Sequence, residues 1–81
     1  MNNKKLRAEM LRYGDKAEDL ARVLKISRQS LSKRQNKHVE FSRSEIEKIA
    51  NRYSLSAEQV YEIFFAEEVS QSGKIYSPSG N

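Results

Sequence analysis

The 81-residue chain contains no cysteine. This excludes a disulfide framework, a thiol nucleophile and a zinc–thiolate site. Tryptophan is also absent, and there is a single histidine, His38, so no His/Cys cluster of metal-ligand type exists. The one proline, Pro78, and two of the three glycines lie beyond Ser70, leaving Gly14 alone among the residues that carry helical patterning. Hydrophobic residues make up only 37% of the chain, which implies a small core that a dimer interface can supplement. No apolar run approaches the ~18 residues that span a membrane, and the opening MNNKKLRAEM has charges where a signal peptide needs an apolar segment. A cytoplasmic protein with no membrane partner is expected.

What the chain does have is positive charge, unevenly placed. The net charge is +4. Residues 16–40 carry seven basic and three acidic groups, whereas residues 41–70 carry three basic and six acidic. From Lys25 to His38 there are five Lys or Arg residues and no acid. A basic front and an acidic back favour an oriented encounter with a polyanion; the alternative is a solvated surface of uneven charge.

Periodicity places five helices along the chain. Leu6, Met10 and Tyr13 recur at helical spacing over residues 4–13, with Leu11 widening the stripe and Gly14 ending it. Asp15 is placed to cap the second helix and Glu18 to reach back, with Ala17, Leu20, Ala21 and Leu24 as its apolar face. After the turn Lys25-Ile26-Ser27, Ser27 caps a short third helix, residues 28–36, and Ile26 staples onto Leu31. Leu31 is the sole clear inward anchor of that helix, so most of it must face outward. Phe41-Ser42-Arg43-Ser44-Glu45-Ile46 and Leu55-Ser56-Ala57-Glu58-Gln59-Val60 repeat the cap-and-staple signal for helices four and five, the latter reaching about Glu67. Ile46, Ile49, Ala50 and Tyr53, then Val60, Ile63 and Phe64, form their buried stripes. The polar SQSGKIYSPSGN is expected to be a disordered tail, residues 70–81, following a domain of residues 1–69; a short strand at Lys74-Ile75-Tyr76 is the alternative.

At LARVLKISRQSLS the pattern resembles the helix-turn-helix of the phage repressor and Cro-type (XRE-like) DNA-binding family. Extended to YGDKAEDLARVLKISRQSLSKRQN and FSRSEIEKIANRYSLSAEQVYEIFF, it is similar to small phage-encoded regulators of Gram-positive bacteria. The resemblance spans residues 4–67. It implies an all-α, compact five-helix bundle with a helix-turn-helix, a lambda repressor-like DNA-binding domain. Two positions depart from the family pattern. Lys25 stands where glycine is usual and must accept a left-handed backbone at about 1 kcal/mol. The third helix ends in Gln35-Asn36-Lys37, without the usual apolar residue and glycine, so the end is looser or the Arg34 stem covers it.

A recognition helix sets its first turn against base edges. This assigns Arg28, Gln29, Ser32 and Lys33 to base contact, with Arg28 suited to guanine and Gln29 to adenine; ordinary solvated charge is the alternative for Arg28 and Lys33. Phosphate contact is expected at the amino end of helix two, through Lys16 and the Ala17 amide, although Asp15 and Glu18 compete there. Ser30, Asn36, Lys37, His38 and Arg43 are expected to meet phosphates on the other side. No Ser/His/Asp arrangement forms around His38, since the serines are accounted for by caps and turns, so no enzyme activity and no cofactor is expected. Tyr61 and Phe65 are candidates for a dimer surface, unless the first helix covers them. The expected function is a Cro/repressor-like transcriptional regulator acting as a homodimer on an operator in double-stranded DNA. The alternatives are a protein-interaction modulator bound to another phage regulator, and an architectural factor in recombination.

Overall fold

Each helix begins where the backbone finds an acceptor for its free amides. A computed structural model describes residues 1–66. In them five α-helices follow in order: α1 (Asn3–Arg12), α2 (Ala17–Leu24), α3 (Arg28–Gln35), α4 (Arg43–Arg52) and α5 (Ala57–Phe64). The side chains of Asn2, Ser27, Ser42 and Ser56 accept from the third amide beyond them. Glu45 and Gln59 return the bond to Ser42 N–H and Ser56 N–H, both at 2.9 Å, completing the two expected capping boxes.

Helix α2 departs from expectation. Its cap position is Lys16, not Asp15, and Asp19 rather than Glu18 accepts from the cap N–H, at 2.8 Å. An ammonium cannot accept a hydrogen bond, so only the return half of the box exists. Asp15 is drawn away by partners distant in sequence: Arg52 Nη2 donates to its Oδ1 at 2.7 Å, and the Tyr53 hydroxyl donates to Oδ2 at 2.7 Å. Leu11 is the second correction. It is 80% exposed and does not widen the buried stripe of α1, and Tyr13 also remains exposed. Continuous α5 runs to Phe64, with a turn at Phe65 and helical backbone again at Ala66; the expected end at Glu67 lies outside the described residues. The tail at 70–81 and the alternative strand at Lys74–Tyr76 lie outside the described residues.

Four helices stop in the same way. At the ends of α1, α2, α3 and α4, a backbone amide donates to the carbonyl five residues back (Asp15 N to Met10 O, Ile26 N to Ala21 O, His38 N to Lys33 O, Leu55 N to Ala50 O). The amide just before it donates three residues back, from Gly14, Lys25, Lys37 and Ser54. Each of these Schellman-type ends needs one left-handed residue. With glycine scarce, only Gly14 meets that need without a side chain; the others are Lys25 (φ 60), Lys37 (φ 68) and Ser54 (φ 52). A non-glycine residue costs about 1–2 kcal/mol in this conformation, and glycine returns roughly 0.4–1 kcal/mol of that as extra unfolded-state entropy. Ser54→Gly should therefore stabilise the protein by about 0.5–1 kcal/mol in urea unfolding. Ser54→Ala, which keeps the strain, should not, and equal midpoints for the two variants would refute the strain.

The core is built on Leu6, Leu20, Leu31 and Ile49, all fully buried, joined by Met1, Met10, Ala21, Leu24, Tyr53, Ile63 and Phe64. Helix α2 packs against both α3 and α4, while α1 packs against α5. Small Ala21 on α2 is buried in the core, 3% exposed. The chain start is tied in as well, since Met1 is buried and Asn2 N–H donates to Ile63 O. Phe41 meets Phe64 edge to face, centroids 5.5 Å apart, so the α3–α4 loop closes over the end of α5.

Candidate nucleic-acid interface

Helix α3 touches the core through Leu31, with Arg34 and Gln35 half-buried beside it. Arg28, Gln29, Ser32, Lys33 and Asn36 are all exposed. At 100° per residue these five fall within an arc of roughly 140° whose centre lies about 130° around the helix from Leu31. The four residues assigned to base contact thus share one solvent face with Asn36, whose Nδ2 donates to Ser32 Oγ at 3.2 Å.

Apart from Lys37, the Lys and Arg residues among the described residues divide into two groups. Lys5, Arg12, Arg22, Arg34, Arg43 and Arg52 each pair with a carboxylate. Among the described residues Lys4, Arg7, Lys16, Lys25, Arg28, Lys33 and Lys48 form no ion pair. Except for Lys48, these uncompensated charges lie on α1, on the α2–turn–α3 unit or at its entry. An unpaired exposed cation is free to replace the counterions of a polyanion, and the release of those counterions favours binding.

The platform under α3 is clamped at both ends. Arg34 Nε donates to Glu45 Oε1 at 2.9 Å, and Arg34 Nη1 donates to Ser30 O at 3.1 Å. Glu45 is 8% exposed and also accepts from Ser42 N–H, so one carboxylate caps α4 and holds α3. Burial opposes its charge, but the bonds from Arg34 and Ser42 outweigh it and hold the carboxyl below its ordinary value. The end of α3 is therefore anchored after all: Arg34 secures it by a polar bond and not only by its stem. At the entry, Arg52 and Tyr53 at the end of α4 bind Asp15, just before α2. The Arg52 bond lowers the Asp15 carboxyl against the effect of burial, and Tyr53 adds to it. Burial, then the bond to Asp15, raises the Tyr53 hydroxyl well above its usual value. Neither clamp is legible in the sequence, because Glu45 reads as a cap and Asp15 pairs across 37 residues of chain.

The residues assigned to phosphate contact fall into two groups about α3. At the start of α2, Lys16 is exposed and Ala17 half-buried. The cap there cannot accept, so no cap side chain occupies the first-turn amides. This is the anion-binding feature of a helix amino end, with Asp19 turned back onto Lys16 N–H. Beyond the other end, Asn36, Lys37 and His38 are exposed, Ser30 is half-buried with its hydroxyl accepting from Ser27 Oγ at 3.0 Å, and Arg43 pairs loosely with Glu47 at 3.4 Å.

Comparison with protein-family models, curated proteins and solved structures finds no match. The geometry therefore carries the functional argument. Among the described residues no group of His, Cys, Asp or Glu can hold a metal ion, and no helix is long and apolar enough to cross a membrane. Tyr61 and Phe65 are 46% and 43% exposed, so α1 does not cover them. Phe65 and exposed Val39 border a cavity of about 150 Å³ whose walls include Met1, Phe41, Ile46 and Phe64.

Proposed function

We propose that this protein is a sequence-specific DNA-binding regulator of the phage repressor and Cro type. It sets α3 in the major groove of an operator. The observation that carries this reading is the outward face of α3, where Arg28 and Lys33 stand unpaired beside Gln29 and Ser32 on a helix that spends one fully buried residue on the core. Side chains that can make bidentate bonds to base edges are left free to make them. Lys16 and the Ala17 amide on one side, and Asn36, Lys37, His38 and Arg43 on the other, serve the phosphates. A homodimer joined through Tyr61 and Phe65 places two such helices in half-sites about one DNA turn, ~34 Å, apart. The exposed apolar rim at Val39 and Phe65 favours a second reading, in which another regulator docks there and DNA is not the target.

Salt dependence separates the two. If each of two protomers neutralises about three phosphates, the slope of log affinity against log salt is about −5. Fluorescence anisotropy on labelled duplexes selected from random sequence measures it. A slope near zero, or no selected sequence, rejects the DNA reading.

A further inference from the structure

We infer that the groove between α1 and the α2–α3 unit is a second seat for the DNA backbone, with Lys4 and Arg7 as its phosphate-neutralising residues. This rests on the DNA-binding reading and extends the interface to a helix that the sequence pattern assigned only to the core.

The charge on α1 is divided between two faces. Of its four basic residues, Lys5 pairs with Glu62 on α5 at 3.4 Å, and Arg12 pairs with Glu9 at 3.5 Å. Lys4 and Arg7 form no ion pair among the described residues and are exposed. They stand three apart, on one face of the helix. That face lines an open groove of about 800 Å³ whose opposite wall contains Ala17, at the start of α2, and Gln35, at the end of α3. The groove is therefore continuous with the proposed interface at both places where α2 and α3 approach it. Its carboxylate, Asp15, is neutralised by Arg52 and has a side chain only 5% exposed, so little negative charge opposes an incoming phosphate. Leu11, the most exposed large apolar residue among the described residues, also lines the groove and offers an apolar contact to the sugar edges between phosphates.

A backbone contact binds without reading sequence. The test is thus the double variant Lys4→Ala/Arg7→Ala, measured on operator and on unrelated duplex across a salt series. Affinity should fall by the same factor on both, leaving their ratio unchanged. The salt slope should become shallower by about 0.9 for each phosphate no longer neutralised, roughly 2 per bound protomer. Lys4→Arg/Arg7→Lys, which keeps both charges, should restore the wild-type slope, and hydroxyl-radical protection of the sugar-phosphate backbone by the alanine variant should cover fewer positions in each half-site. If wild-type binds DNA and the alanine variant keeps its slope and its protection, the proposal is overturned and the groove is left to an acidic protein partner. If wild-type binds no DNA, the DNA-binding reading falls and takes this one with it.

Discussion

Leu31→Ala is expected to destabilise the protein by about 2–5 kcal/mol, the range for truncating a buried leucine where the surroundings cannot collapse. Total stability for a chain of this size is roughly 4–12 kcal/mol at 0.05–0.15 kcal/mol per residue, so the loss is a large part of it. Leu31 is fully buried, and α3 has no other fully buried residue. Eight residues do not hold a helix in water without tertiary contacts. Once the leucine is gone, α3 is held mainly by the Arg34–Glu45 bond and the half-buried Gln35. Leu31→Met, which conserves volume, should cost less than about 1.5 kcal/mol. Urea unfolding followed by circular dichroism compares them. A loss below about 1 kcal/mol for alanine would mean that α3 is anchored elsewhere, and the account of its outward face would fail with it.

This dependence on one residue shows which parts of the molecule are legible in the sequence. Ser27, Ser42 and Ser56 signal their helices because a cap satisfies amides two or three residues away, and that chemistry is local. The solitary Leu31 announces an exposed helix for the same reason: too few apolar residues recur to bury it. What escapes the sequence depends on distance. Asp15 has the right chemistry for a cap, and Arg52 and Tyr53 on another helix remove it from that role. Leu11 matches the helical period of α1, but Ala17 and Gln35 across the groove leave it open instead of covering it. Lys25 stands out because glycine is usual at that turn in the family it resembles. Lys37 and Ser54 adopt the same backbone with nothing in their composition to mark it. The residues assigned to base contact are readable as a face but not as a charge pattern. Only the pairing of the other cations reveals that Arg28 and Lys33 are left uncompensated.

That pattern leads to the second large effect. Arg28→Ala and Gln29→Ala should each weaken operator binding by about 1–3 kcal/mol, roughly 5–150-fold, the usual worth of a bidentate base contact. Neither side chain makes a hydrogen bond or ion pair among the described residues, and both are exposed, so the helical spectrum and the unfolding midpoint should not change. The two variants should nevertheless differ in kind. Arg28→Ala removes a charge and should weaken binding to unrelated DNA somewhat as well. Gln29→Ala removes only hydrogen-bonding groups and should leave unrelated DNA unaffected. The double variant should bind operator and unrelated duplex with nearly equal affinity, its salt slope still set by the cations proposed to meet phosphates, Lys16 and Lys37. If the double variant keeps the wild-type ratio between operator and unrelated duplex, Arg28 and Gln29 are not the reading edge. The same result with a near-zero salt slope would move the function from DNA to a protein partner. On the proposed function, stability, charge and specificity are divided among different residues of one eight-residue helix, because its single buried leucine frees the remaining positions from the core.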